Sequence, residues 1–104
     1  MRLGWSDRAR RDLREIYAHI AADNPGAARR WVGRLQERAR AATSAPLAGR
    51  VVPEVDDTTV REVFFRTYRI VYRVVGDELH VLTVFEGHKL LARTEIADDS
   101  ETDA

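Results

Sequence analysis

The 104-residue sequence contains no cysteine. This absence excludes disulfide bonds, a thiol nucleophile, an iron–sulfur cluster and a cysteine-ligated zinc site. No run of residues approaches the ~18 apolar side chains that a membrane-spanning helix needs. The first residues, MRLGWSDRARRDLREI, also lack the apolar core of a signal peptide. We therefore expect a cytoplasmic protein that does not associate with membranes.

Common catalytic and cofactor-binding motifs are missing as well. The histidines His19, His80 and His88 do not have the spacing of a metal-binding motif, and no serine lies in a GxSxG-type turn. No glycine-rich phosphate-binding sequence of the GxxxxGK[ST] or GxGxxG type is present. The sequence thus predicts no metal and no cofactor, and it does not indicate a self-contained metabolic enzyme.

The charges are unevenly distributed, although the formal net charge is zero. Residues 95–104 (EIADDSETDA) contain five acidic residues and no basic one, so residues 1–94 hold 17 basic against 12 acidic residues, a net charge of +5. The 104-residue length of the chain fits one folded domain. We therefore predict a single, mildly basic domain over residues 1–94, followed by an acidic, disordered tail over residues 95–104.

The N-terminal half predicts a short strand over residues 2–5 and two amphipathic helices. Ser6 is placed to cap the first helix, and Asn24-Pro25 ends that helix and can begin the second. Apolar residues recur at helical spacing in each helix. The two stripes consist of Ala9, Leu13, Ile16, Tyr17 and Ile20, and of Ala28, Trp31, Val32, Leu35, Ala39 and Ala42.

The C-terminal half changes to a strand pattern. Residues 43–59 predict a loop with a short strand at Val51-Val52, and from Val60 three β-branched and aromatic segments are separated by turn signals at Arg66-Thr67 and Gly76-Asp77. The resulting order is β-α-α-β-β-β. It predicts an α+β fold in which an antiparallel sheet carries the N-terminal helical hairpin on one face.

Arginines accompany the predicted sheet. Alternation places Arg69 and Arg73 on the same face of their strand. Such a face could bind phosphate or an acidic protein surface, or it could be the ordinary charged side of a half-exposed sheet. Both interpretations are compatible with the pattern.

Several segments together resemble the RelE/ParE superfamily of type II toxins. These are the strand over residues 68–74, the Gly87-His88-Lys89 ending, the helix-one opening at residues 13–17 and the loop over residues 47–53. The resemblance covers about residues 2–93, and the helix opening and the loop are typical of the ParE branch. It implies the RelE/ParE toxin fold and a toxin neutralised by an antitoxin encoded nearby, with which it forms a hetero-oligomer.

The superfamily includes two activities. ParE-type members inhibit DNA gyrase and so block replication, whereas RelE-type members cut mRNA on the ribosome. Where the nuclease branch has its acid–base lysines and tyrosine, this sequence has Val60, Glu62 and Glu95, so the resemblance favours a non-enzymatic gyrase inhibitor. The alternatives are a member that only binds its antitoxin, and a ribosome-dependent mRNA endonuclease. The catalytic residues of such a nuclease would be Glu62, Arg69, His88 and Lys89.

Two sets of residues are candidate contact sites. Those expected to contact the target are Arg66, Arg69, His88 and Lys89. Those expected to contact an acidic amphipathic antitoxin segment, in a groove between the helical hairpin and the sheet, are Arg30, Trp31, Arg34 and Arg38. For Arg69 an ion pair with a neighbouring carboxylate, such as that of Glu62, is the alternative.

Overall fold

A computed structural model describes residues 1–87 of the chain. The elements are β1 (Arg2–Trp5), α1 (Asp7–Ala21), α2 (Pro25–Ala42), β2 (Arg50–Val51), β3 (Val60–Phe65), β4 (Tyr68–Val75) and β5 (Glu78–Glu86). The predicted β-α-α-β-β-β order is confirmed for β1, the two helices and the three long strands β3, β4 and β5. The additional short strand β2 lies one residue earlier than the short strand expected in the loop. The predicted domain end at residue 94 and the acidic tail at residues 95–104 lie outside the described residues.

The five strands form one sheet in the order β1-β5-β4-β3-β2. Strands β3, β4 and β5 pair antiparallel through their two short turns, as predicted. Strand β1 instead runs parallel to β5. Parallel pairing needs a long connection, which the helical hairpin and the following strands supply. Side-chain alternation does not reveal strand direction, so the sequence pattern could not distinguish the two arrangements for β1.

Local side-chain hydrogen bonds fix where the helices begin. The Ser6 hydroxyl accepts a hydrogen bond from the backbone N–H of Ala9 at 2.9 Å and donates one to the carbonyl of Leu82 at 2.7 Å. Asn24 caps α2 by accepting from the N–H of Ala27 at 3.0 Å, with proline at the first helical position. Ser6 is fully buried, so the α1 cap also fastens that helix to β5.

Both helices pack on one face of the sheet. The core between the layers combines apolar residues of α1 and α2 with the inward residues of β4 and β5, among them Leu13, Leu35, Ile70 and Tyr72. Tyr17, predicted as part of the α1 stripe, is 36% exposed. Successive helical residues are ~100° apart, so a helix face centred on Leu13 and Ile16 leaves Tyr17 at its rim.

The opposite face of the sheet is covered too. Val52 and Val55, from the segment between β2 and β3, pack on Val60, Val71 and Leu82. This second apolar layer is why the middle of the sheet is buried on both sides. The possibility that Arg69 lies on an exposed charged face is therefore wrong.

A close contact fastens the loop that precedes β2. The hydroxyl of Tyr72 donates to the carbonyl of Pro46 at 2.6 Å. A Cβ at Gly49 would lie 2.3 Å from that same hydroxyl oxygen, so only glycine fits there. No helix among residues 1–87 combines the length and the apolar character needed to cross a membrane.

Candidate functional site: an arginine-lined groove

A groove runs along α2 where this helix meets the end of β3. One hollow of about 260 Å³ is lined by Arg30, Trp31, Arg34, Phe65, Arg66 and Ala27. A second hollow continues along the helix past Arg38 and shares Arg34 and Phe65 with the first. We refer to both together as the α2 groove, defined by Arg30, Trp31, Arg34, Arg38, Phe65 and Arg66.

The floor of the groove is aromatic. The ring of Trp31 packs edge-to-face against Phe65, with centroids 5.5 Å apart, and against Tyr68, with centroids 6.4 Å apart. Such pairs add ~0.5–1.5 kcal/mol beyond simple burial, so they hold the indole in place. The indole nitrogen of Trp31 is buried and has no hydrogen-bond partner among residues 1–87.

Arg66 lies on this floor because of the turn that carries it. The residue has φ of +52°, a left-handed conformation that is uncommon for residues other than glycine. Its guanidinium carbon lies 5.5 Å from the ring centroid of Trp31 and 5.8 Å from that of Phe65. Cation–π attraction therefore positions an exposed charge over the aromatic side chains.

The groove carries an excess of positive charge. Arg30, Arg34 and Arg66 are exposed, and none of the three forms an ion pair with a carboxylate among residues 1–87. Arg38 donates from Nε to the carbonyl of Phe64 at 3.2 Å, which links α2 to the edge of β3. Arginines over aromatic rings suit a partner that presents carboxylates together with apolar side chains.

The structure brings together the four residues predicted to contact an antitoxin. Arg30, Trp31, Arg34 and Arg38 line the two adjoining hollows of the α2 groove, between the helical hairpin and the sheet as expected. Arg66, which the sequence interpretation assigned to target binding, lies in this same groove. The turn that carries Arg66 is distant in sequence from α2, so no local sequence pattern could predict the contact between Arg66 and Trp31.

Arg69 occupies a buried ion-pair network on the other face of the sheet. Its Nε donates to Glu62 at 2.6 Å, and its two terminal nitrogens donate to Glu54 at 2.7 and 2.9 Å. The second oxygen of Glu62 accepts hydrogen bonds from Arg50. The guanidinium carbon of Arg69 also lies 5.1 Å from the ring centroid of Phe85. Each of the three guanidinium nitrogens of Arg69 therefore donates a hydrogen bond to a carboxylate.

Burial and charge agree on a structural role for this network. The side chain of Arg69 is 4% exposed and that of Glu62 is fully buried. Hydrogen bonding to Glu54, helped by Glu62, raises the pKa of Arg69 above its ordinary value despite the desolvation that opposes it. The guanidinium thus stays charged, and it holds the segment between β2 and β3 against the sheet.

Two sequence-based assignments need correction. Arg69 was expected to contact the target, and Glu62 with Arg69 would have belonged to the catalytic set of a nuclease. The segment between β2 and β3 buries the side chains of Arg69 and Glu62, and their polar atoms are already engaged in hydrogen bonds. Neither side chain can therefore touch a substrate or a target in this structure. The alternative, an ion pair between Arg69 and Glu62, is correct. His88 and Lys89, the other members of both sets, lie outside the described residues.

A second cleft of about 500 Å³, which we call the α1 cleft, lies between α1 and the end of β5. Its lining includes Asp12, Glu15 and Glu86. The carboxylate of Asp12 accepts from Thr83 at 2.6 Å and from the N–H of Val84 at 2.9 Å, yet burial raises its pKa. This acidic lining would repel an acidic segment. Charge therefore favours the α2 groove over the α1 cleft for such a partner.

The α1 cleft also shows what the sequence could not reveal. Asp12 lies on the polar side of the helical pattern, and its partner Thr83 is 71 residues away along the chain. Burial, the charge of Glu86 and a hydrogen bond to that residue raise the pKa of Tyr68, which borders the cleft. Within residues 1–87 no group of three histidine, aspartate or glutamate side chains could hold a metal ion.

Comparison with known proteins gives concordant matches. The family model for the ParE toxin of the type II toxin–antitoxin system parDE matches residues 3–91. The protein named "Putative toxin Y4kP" from Sinorhizobium fredii (strain NBRC 101917 / NGR234) is 33% identical over 90 residues, covering 85% of this chain and 90% of that protein. A solved structure, the chromosomal ParDE TA system from P. aeruginosa, is similar with a TM-score of 0.70 at 25% identity, covering 83% of this chain and 95% of that one.

Proposed function

Because this chain belongs to the ParE family, and so is the toxin of a type II toxin–antitoxin module, we propose that it inhibits DNA gyrase without being an enzyme. A cognate antitoxin neutralises it by occupying the α2 groove, giving a toxin–antitoxin hetero-oligomer. The cytoplasm is the compartment of action, since gyrase works there on the chromosome. No cofactor takes part.

The observation that carries the non-enzymatic assignment is the burial of Glu62 and Arg69. Cleavage of mRNA by its own 2′-hydroxyl needs a proton acceptor and a proton donor that reach the substrate, and cations for the developing phosphate charge. Glu62 is fully buried between two arginines, so it cannot accept that proton. This geometry argues against the ribonuclease alternative for the described part of the chain.

The α2 groove supports the antitoxin assignment. A segment that folds on its partner gains affinity from aromatic floors that are already packed and from cations that are already positioned. Trp31 and Arg66 meet both conditions, and Arg30 and Arg34 extend the charge along one helix face. The complementary partner is an amphipathic segment whose carboxylates face these arginines.

For the target we propose the end of the sheet beyond β5. The backbone N–H of Gly87 donates to the carbonyl of Thr67, the residue that follows Arg66. The described chain therefore ends beside the turn that carries Arg66. Arg66 together with His88 and Lys89 forms the proposed gyrase contact, and an antitoxin covering Arg66 would block it.

Expression of the chain without any antitoxin tests the proposal. We expect thymidine incorporation to stop before leucine incorporation, because blocked replication precedes any loss of translation. Co-expression of the cognate antitoxin should restore both. If leucine incorporation stops first and stalled ribosomes carry codon-dependent mRNA cuts, the chain is a ribonuclease and the proposal is wrong.

A further inference from the structure

The α2 groove is bordered by cations that the described part of the chain leaves without carboxylate partners. Arg30, Arg34 and Arg66 are exposed along it, and Glu37 is the acidic residue on its lining. Residues 1–87 contain 15 arginines and 12 acidic residues, and three of the exposed arginines lie along this groove. An acidic ligand of modest size would complement the groove.

The same chain contains such a ligand. Residues 95–104 include five carboxylates and no basic side chain. They also include Ile96, which could pack on an aromatic floor while its neighbours pair with arginines. Both features match the chemistry expected of the antitoxin segment.

The described chain ends close enough for this segment to reach the groove. Gly87 packs so tightly on the turn after β3 that a Cβ there would lie 2.7 Å from the carbonyl oxygen of Thr67, next to Arg66. Seven residues separate Gly87 from Glu95, and an extended chain of that length spans roughly 23 Å. The α2 helix, with 18 residues, is about 27 Å long. The linking residues therefore suffice for a segment starting at Glu95 to enter the groove at Arg66 and run along α2.

We propose that residues 95–104 bind the α2 groove of their own chain and compete there with the antitoxin. The acidic α1 cleft, at the same end of the sheet, repels this segment through Asp12, Glu15 and Glu86. Tethering gives the segment an effective concentration in the millimolar range, so weak ion pairs suffice for occupancy. The identity of the competitor, the antitoxin, rests on the proposed function. The binding of residues 95–104 to the groove of their own chain does not.

Occupancy can be followed by the two tryptophans. Trp31 lies in the groove, whereas Trp5 lies in β1, the edge strand farthest from β2 and β3, and serves as an internal reference. The full chain, made by cell-free synthesis, is compared with a variant whose acidic segment is neutralised. Its substitutions are Glu95→Gln, Asp98→Asn, Asp99→Asn, Glu101→Gln and Asp103→Asn. A matched control exchanges each of these residues between Asp and Glu and so keeps all five charges.

We expect neutralisation to move the indole N–H resonance of Trp31 and leave that of Trp5 unchanged, while the charge-keeping control matches the wild type. A synthetic peptide of residues 95–104 should bind the neutralised variant at least about fivefold more tightly than it binds the wild type. A fivefold difference means that the tail leaves the groove free in about one wild-type molecule in five. At about 1 M NaCl the difference should vanish, because screening removes the ion pairs.

Several outcomes would overturn the proposal. These are unchanged Trp31 resonances, equal peptide affinity for the wild type and the neutralised variant, or shifts confined to Ile16 and His19 of the α1 cleft. A Trp31 shift that depends on protein concentration would assign the groove to a second copy of the chain instead. Gyrase inhibition is measured separately on the same samples, so failure here leaves the proposed function untouched.

Discussion

Arg66 and Arg69 are three residues apart, yet their surroundings are opposite. Arg66 is exposed on a left-handed turn over two aromatic rings, whereas Arg69 is 4% exposed and held by two carboxylates. The difference arises from what covers each side of the sheet. The segment between β2 and β3 buries the far face around Arg69, while the end of the sheet beside α2 is left open. The sequence position of an arginine in or beside a strand therefore does not show whether the residue forms a buried ion pair or stays exposed for binding. That depends on the segment that covers the sheet.

The largest expected effect tests the buried member of this pair. Replacing Arg69 by Ala leaves Glu62 buried without one of its two cations, which should lower the free energy of unfolding by about 3–5 kcal/mol. Thermal denaturation should show a fall in Tm of more than about 10 °C.

Arg73 provides the matched control for this substitution. It lies on the same strand, is 30% exposed and faces Asp57 at 3.7 Å. Arg73→Ala should cost less than about 1 kcal/mol. Equal losses in the two variants would show that the network around Arg69 adds nothing specific to stability.

The second prediction concerns the exposed groove. The double substitution Arg30→Glu and Arg34→Glu should leave Tm almost unchanged, because neither side chain is paired within residues 1–87. Affinity for the cognate antitoxin, measured by calorimetry, should fall at least tenfold, about 1.4 kcal/mol or more, since like charges then meet across the interface.

Two other arginines of α2 serve as the control. Arg29 and Arg40 are exposed but do not line the groove. Their replacement by Glu changes the net charge equally and should weaken antitoxin binding far less. If both pairs weaken binding to the same extent, the antitoxin senses overall charge and the groove is not its site.

Two substitutions of Arg66 distinguish the effect of its left-handed backbone conformation on stability from the effect of its cation–π contacts. Arg66→Gly relieves the left-handed conformation but removes the cation–π contacts, so the two effects should nearly cancel, leaving the free energy of unfolding within about 0.5 kcal/mol. Arg66→Ala loses the contacts and keeps the strain, and should cost about 1 kcal/mol. Chemical denaturation distinguishes the variants. A glycine variant less stable than the alanine variant would contradict the role assigned to the turn.

The smallest effect is a pH dependence from the α1 cleft. The folded-state pKa of Asp12 is raised above its ordinary value of 3.8, chiefly by burial, so the folded state binds its proton more tightly than the unfolded state. The stability that Asp12 contributes is therefore full below pH 3.8 and is lost as the pH rises through the raised pKa. Urea unfolding at pH 4 and pH 7 should show the wild type losing stability relative to Asp12→Asn. A constant difference between the two proteins would contradict this assignment.

Much of the fold follows from local chemistry in the sequence. Ser6 and Asn24-Pro25 satisfy helix-end N–H groups within three residues, and Gly76 adopts φ of +56° in the turn where it was expected. Such signals need only near neighbours in the sequence. This is why the helices and the three long strands could be predicted.

The rest depends on contacts between distant residues. Arg69 is buried because Glu54 and Val55 fold back over the sheet, and no pattern within β4 reports that cover. Arg66 meets Trp31 only once β3 has paired with β4 beside α2. The groove residues on one helix could be predicted as a set, whereas their completion by the turn could not.

Purified gyrase gives the most direct test of a non-enzymatic gyrase inhibitor. The full chain, added to gyrase and relaxed plasmid with ATP, should abolish supercoiling and increase cleaved DNA–gyrase complexes, and antitoxin added first should prevent both. The same preparation should leave mRNA intact on translating ribosomes. Unimpaired supercoiling together with codon-dependent mRNA cuts would contradict the account.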